Sequence, residues 1–290
     1  MTDEIRYPSH DGLTLFAKSY GAVDAAHTVL CLHGLTRNHK DFEPMIEALL
    51  PKHSDMRFVS WDTRGRCQSD YDPQPENYAV PTYAQDVISL LTHLETDRVT
   101  LIGTSMGGLI SMALMSIIPK RIKGVVMNDI GPVIEVDGLR TIAGYLGKND
   151  PVADIGKAAE AIKAKQASMF PDYTEEDWLN FARRTYRQRS DGLFEPDYDP
   201  AIVQNFAVPE ELNENDDVLW GMYDGLASVP FLLIRGEISE LLSEKTAQRM
   251  MDAHPNAKMA TVPRTGHAPV LDEPEAVHAI SQFLSAQKAI

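Results

Sequence analysis

Six short apolar runs rich in Val, Ile and Leu recur along this 290-residue chain, and most of the gaps between them carry helical patterns. The runs are TVLCLHG (28–34), FVSWDTRG (58–65), VTLIGTS (99–105), IKGVVMNDI (122–130), PFLLIRGE (230–237) and AKMATVPRTGH (257–267). Most of them do not alternate apolar with polar residues, which is the pattern of strands buried on both faces of a parallel sheet. Helical periodicity lies at Asp41–Leu50, Tyr83–Leu94, Gly108–Ile118, Lys245–Ala253 and Pro274–Ala286. Strand and helix alternating at this spacing predict an α/β fold with a mostly parallel sheet. Ahead of it, Ile5–Ser9 and Leu13–Tyr20 flank His10-Asp11-Gly12 and predict an antiparallel hairpin.

The alternation stops between Gly131 and Val218. In that stretch, DPVADIGKAAEAIKAKQASMF predicts a helix starting at Asp150 with Pro151 in its first position. TEEDWLNFARRTYRQRS predicts a second, capped by Thr174. An insertion after the strand ending near Asp129 lies above the carboxyl ends of the strands, where parallel sheets bind ligands. The expected organisation is therefore a core of residues 1–130 and 219–290 with an inserted helical cap, 131–218. Trp178, Tyr145, Phe181 and Met169 are candidates to line an apolar pocket under it.

Charge narrows the partners. The formal net charge is −15, and residues 131–225 hold 19 Asp and Glu against nine Lys and Arg, about two-thirds of the excess. Such a face repels phosphate backbones, so no nucleic-acid partner is expected, and neutral esters or lactones are favoured over polyanions. Cys31 in an apolar run and Cys67 in a polar loop make no disulfide framework. No basic-then-apolar leader and no run of about 20 apolar residues is present. A cytoplasmic protein, monomeric or homodimeric and away from the membrane, is the expectation.

Between the strand VTLIGT and the helical pattern starting at Gly108 sits Gly103-Thr104-Ser105-Met106-Gly107, with Gly108 directly after. Gly-x-Ser-x-Gly is short enough to occur by chance, but its position between strand and helix is what a strained, nucleophile-bearing turn requires. Glycines two before and two after remove side chains that would clash. The helix N-terminus then points backbone N–H groups at the serine's reaction centre. A phosphate cradle does not fit, because neither Gly-x-x-x-x-Gly-Lys-Ser/Thr nor Gly-x-Gly-x-x-Gly is present. A tight turn without chemistry is the remaining alternative.

A nucleophilic serine needs a base and donors for an oxyanion. Of nine histidines, His267 lies just past the last predicted strand, at the same sheet edge as Ser105. His33 is assigned a backbone role by its neighbour Gly34, and the other seven fall in loops or on helix patterns. The oxyanion donors are expected from the backbone N–H of Met106 and of Leu35. No His/Asp/Glu group shows metal-ligand spacing such as His-Glu-x-x-His, so neither metal nor cofactor is expected. Asp62 and Arg64 are read as bracing the loop beside the nucleophile.

Gly34 after an apolar strand, DTRGRCQSD (62–70), GTSMGG (103–108) and GHAPVLDEPE (266–275) occur in the order and spacing of the capped α/β-hydrolase superfamily, which residues 5–285 resemble outside the cap. The resemblance implies an eight-stranded, mostly parallel sheet flanked by helices, with strand two antiparallel and the cap after strand six. It also implies a triad in the order Ser, acid, His. Family members usually carry an Asp a few residues beyond the Gly ending the seventh strand. Here IRGEISELLS offers Glu240, with Glu237 nearer the strand, so Glu240 is taken as the acid. The rival is Asp129, 24 residues after Ser105, where some members place it.

Ser105, His267 and a carboxylate point to acyl transfer to water, and so to a small-molecule ester or lactone as substrate. The alternatives are a carbon–carbon bond or enol-lactone hydrolase on the same triad, an acyltransferase, or a binding module that lost its chemistry.

Overall fold

The computed structural model describes residues 2–147 and 150–288. The chain opens with β1 (Thr2–Pro8) and β2 (Thr14–Gly21), paired antiparallel with Pro8 opposite Thr14, as the hairpin pattern predicts. Then follow β3 (His27–Leu32), α1 (Glu43–Leu49), β4 (Met56–Asp62), α2 (Val80–His93), β5 (Val99–Thr104), α3 (Met106–Ile117) and β6 (Ile122–Asn128). The inserted stretch carries α4 (Val136–Tyr145), α5 (Ile155–Gln166), α6 (Glu175–Thr185) and a small hairpin of β7 (Tyr186–Gln188) and β8 (Phe194–Pro196). The chain ends with α7 (Asp217–Asp224), β9 (Phe231–Gly236), α8 (Glu244–Ala253), β10 (Ala257–Val262) and α9 (Pro274–Gln287).

Eight strands form one sheet in the order β1-β2-β4-β3-β5-β6-β9-β10, with β2 antiparallel to both its neighbours and β3 onward parallel. This is the α/β-hydrolase fold. The unbroken apolar runs are explained by two cores, one on each face. Leu30, Leu32, Leu101, Val125 and Leu233 pack toward α2, α3 and α7, while Val29, Cys31, Ile102, Val126 and Ile234 pack toward α1 and α9. Cys31 is a fully buried small hydrophobe.

The inserted stretch has a small core of its own. Ala158 and Ile162 of α5 meet Phe170 and then Trp178, Phe181 and Ala182 of α6. Thr174 caps α6 as expected, in a reciprocal box with Asp177. The expected start of α5 is corrected. Asp154, not Asp150, caps it through the Lys157 N–H, because Val152 pairs with Phe194 in an antiparallel bridge and holds Pro151-Val152 extended. The expected second helix also stops early, at Thr185, where Tyr186–Gln188 turns into β7. At the far end α7 straddles the expected boundary at 218/219, and its Trp220 and Tyr223 join the main core. Among the described residues no helix is long and apolar enough to cross a membrane.

Candidate active site

β5 delivers Ser105 to the carboxyl edge of the sheet and α3 leaves from the next residue. Between them Ser105 adopts φ 52°, ψ −115°, a conformation L-residues rarely hold. The turn closes only because its neighbours lack side chains. A Cβ on Gly107 would sit 2.0 Å from the Leu32 carbonyl oxygen, and one on Gly103 would sit 2.4 Å from the Gly107 carbonyl. The Ser105 N–H donates to the Asn128 carbonyl at 3.0 Å, locking the turn to β6.

The serine faces His267. Its Oγ lies 2.9 Å from His267 Nε2, and His267 Nδ1 lies 2.8 Å from Asp129 Oδ2. Asp129 is fully buried directly after β6, at φ 57°. Its Oδ1 accepts from the Gly236 N–H at 2.9 Å and its Oδ2 from the Ser239 hydroxyl at 2.6 Å. The carboxylate therefore accepts from three donors, and the donor it takes from the imidazole is Nδ1–H. That leaves Nε2 as an acceptor turned to the Ser105 hydroxyl.

The structure brings Ser105 and His267 together, and the carboxylate it sets on the imidazole is Asp129 and not the expected Glu240. Glu240 is exposed, and its Oε2 accepts from Thr141 Oγ1 of α4 at 3.2 Å. It borders a small cleft that His267 also touches, yet its carboxylate is spent on α4. The reason lies in the turn after β9. Ser239 points inward, where its hydroxyl bonds Asp129 and accepts the Leu241 and Leu242 N–H groups, so the following residue projects outward. Glu237 is likewise exposed and accepts from the Arg264 N–H.

Leu35 lines the cavity beside Ser105, and Met106 is the first residue of α3, so its N–H has no partner within the helix. The loop carrying Leu35 is held from two sides. His33 Nδ1 donates to the Gly34 carbonyl at 2.7 Å while its Nε2 accepts from the Thr63 N–H and hydroxyl. Burial pushes the His33 imidazole down to about 4, so it is neutral and keeps that single tautomer. Arg66, with no exposed surface, donates Nε and Nη2 to the Leu35 carbonyl at 3.0 and 2.9 Å. Its Nη1 reaches the Arg64 carbonyl and the Tyr83 hydroxyl.

Asp62 and Arg64 brace this region as expected. Asp62 accepts from the His39 and Gln68 backbone N–H groups and from His39 Nδ1. Arg64 binds Asp11, Asp72 and Asp86, and its guanidinium holds the Asp11 carboxyl down at about 2. Among the described residues two groups are close enough to share an ion, His39/Asp62/Cys67 and His10/Asp11/Asp86. In both, the central carboxylate oxygens are already engaged, by His39 and by the Arg64 guanidinium.

The cavity over Ser105 is about 90 Å³, room for several waters. The inserted segment roofs it with Ile142 and Tyr145 of α4, Gln166 of α5, Phe170 and Phe181. Tyr145 and Phe181 line it as expected. Met169 instead lines the small cleft beside His267, and Trp178 is buried within the segment's own core. Phe170, Gln166 and the Arg37 of the Leu35 loop were not singled out in the sequence. Phe170 ends the apolar pair Met169-Phe170 after α5, the one signal that could have marked it.

A solved α/β hydrolase from Novosphingobium aromaticivorans is 38% identical, superposes with a TM-score of 0.90 and covers 98% of each chain. The 3-hydroxybutyrate-oligomer hydrolase of Cupriavidus necator is 31% identical over 262 residues, 89% of this chain and 88% of its own length. Esterase YbfF of Escherichia coli is 26% identical over 266 residues, 89% of this chain and 92% of its own. These similarities support a hydrolytic role. A sequence model of the alpha/beta hydrolase fold matches residues 27–274. That match runs from the first residue of β3 to the first of α9 and takes in every parallel strand, so this chain belongs to the alpha/beta hydrolase fold family.

Proposed function

We propose that the chain is a serine hydrolase of carboxylic esters working through an acyl-enzyme on Ser105. The observation that carries this is the continuous hydrogen-bond chain from Ser105 Oγ through His267 to buried Asp129. Ser105 Oγ attacks the ester carbonyl as His267 Nε2 takes its proton. Asp129 holds the imidazole in the reacting tautomer and stabilises the imidazolium that forms. The carbonyl oxygen, now negative, is received by the N–H groups of Leu35 and Met106, with the start of α3 behind it. His267 returns the proton to the leaving alcohol. Water then attacks the acyl group with the same base, freeing acid and serine. Arg66 and His33 act on this step by fixing the peptide planes on either side of Leu35.

The relatives support an ester as substrate, one of them an oligomer hydrolase and one an esterase. Purified protein should hydrolyse a short 4-nitrophenyl ester, and Ser105→Ala should lose that rate by several orders of magnitude while folding normally. A variant retaining more than a few per cent of wild-type kcat would end the proposal. Adding an acceptor alcohol separates a transferase, which would form a new ester, from a hydrolase.

A further inference from the structure

Beyond the Ser105 cavity lies a second chamber of about 60 Å³. The two share Thr36, Arg37, Tyr145, Gln166 and Phe181 in their walls and so adjoin. Their charge differs. The Ser105 end has Arg37 facing Asp41, whereas the far end has Arg37 and Lys165 and no carboxylate among its described lining residues. Thr36, Tyr145 and Tyr186 line the same chamber. In a chain of net charge −15 this is a local inversion.

Among the described residues no carboxylate of the inserted segment lines the chamber, and several are paired elsewhere. Glu160 pairs with Lys157, Asp172 with Arg264, Glu176 with Arg183, Glu195 with Arg187 and Asp197 with Lys40, most of them on the exposed surface. Arg37 is mostly buried, with 15% of its side chain exposed. Its Nε and Nη2 donate to Asp41, and its plane is fixed by stacking over Phe181 at 3.8 Å. Nη1 donates to no acceptor among the described residues. Asp41 is shared, since Arg184 Nε approaches its Oδ1 at 4.0 Å. A mostly buried guanidinium held in place by Asp41 and Phe181, with Nη1 still free to donate beside the nucleophile's cavity, can take an anionic oxygen of a bound molecule.

We propose that this chamber receives a carboxylate of the substrate, so that the preferred substrates are esters carrying a free carboxylate, as in short oligoesters of hydroxy acids. This rests on the ester-hydrolase reading above, and it replaces the neutral-ester preference expected from composition.

The test uses two pairs of probes that differ only in charge. One pair is the linear 3-hydroxybutyrate dimer and its carboxamide; the other is monoethyl glutarate and its carboxamide. Wild type should show kcat/KM about ten- to hundredfold higher for the acid in at least one pair. Arg37→Met should collapse that ratio, Lys165→Met should lower it, and rising salt should erode it. Equal or lower rates on both acids, with Ser105-dependent hydrolysis of the carboxamides, would overturn the inference and leave the ester hydrolase standing. So would a preference that neither substitution changes. Should Arg37→Met fail to fold, an unchanged ratio in Lys165→Met decides against it. Absence of Ser105-dependent hydrolysis of all four probes and of 4-nitrophenyl acetate would remove the ester-hydrolase reading itself.

Discussion

Asp129→Asn exchanges one carboxylate oxygen for an amide nitrogen at a site with no exposed surface and three incoming donors. Any orientation of the amide puts an NH2 against a donor. Facing Gly236 N–H at 2.9 Å, it loses that bond and keeps a neutral acceptor on His267; facing His267, it forces the imidazole to present Nδ1 as acceptor and Nε2–H to Ser105. In the second orientation the base is lost outright. In the first, the imidazolium formed during attack loses its counter-charge. A loss of about four orders of magnitude in kcat is expected, equivalent to roughly 5 kcal/mol of transition-state stabilisation, with a small change in KM. Glu240→Gln alters an exposed carboxylate hydrogen-bonded to Thr141 and should stay within about twofold of wild type. The assay is steady-state hydrolysis of a 4-nitrophenyl ester by both variants, with a thermal melt of each to establish folding. Folded Asp129→Asn retaining a tenth of kcat, or Glu240→Gln losing as much, would refute the assignment.

Arg66→Met strips both donors from the Leu35 carbonyl and should lower kcat by about a hundredfold with KM little changed, as for a disordered oxyanion donor; Arg66→Lys should recover part of it. Equal kcat in a folded Met variant would separate Arg66 from the reaction. Burial raises the Glu273 carboxyl to about 7, with Oε2 unpartnered and Oε1 on the Val270 N–H. Its native state holds the proton more tightly than the unfolded chain, so its contribution is full below about pH 4.5 and is lost as pH rises through 7. The stability of wild type relative to Glu273→Gln should therefore fall by roughly 2–3 kcal/mol between pH 4.5 and 8 in urea melts, and a flat difference would contradict this. Gly107→Ala drives a Cβ into the Leu32 backbone and should cost about 3 kcal/mol or more, or prevent folding, whereas Gly221→Ala in α7 meets nothing within 4 Å and should stabilise by about 0.5–1 kcal/mol. Urea midpoints of the two variants against wild type decide it.

The parts of this molecule that were legible in the sequence are those fixed by neighbours along the chain. Gly103, Ser105 and Gly107 mark their turn because the clash they avoid is between residues a few positions apart or on the adjacent strand. The sheet was legible because its central strands have both faces covered, so Val29 and Leu30 are equally apolar though they enter different cores. The carboxylate that meets His267 was not, because nothing local distinguishes Asp129 from Glu240. What does is the pairing of β6 with β9, which sets Asn128 opposite Ile234 and brings Asp129 beside Gly236. The true start of α5 depends on the Val152–Phe194 bridge between residues more than forty apart. The charge proposed for the chamber is not legible in composition for a related reason. Composition counts every carboxylate of the inserted segment, while the substrate meets only those that folding leaves on the chamber wall.

Ser105 as nucleophile is the central claim, and covalent capture tests it most directly. Wild type incubated with a fluorophosphonate ester should gain one adduct per chain, found by mass spectrometry on Ser105 in the tryptic peptide 99–120. Ser105→Ala should gain none, and Asp129→Asn should label far more slowly than Glu240→Gln. An adduct on another residue, or Ser105→Ala labelled as fast as wild type, would contradict the account.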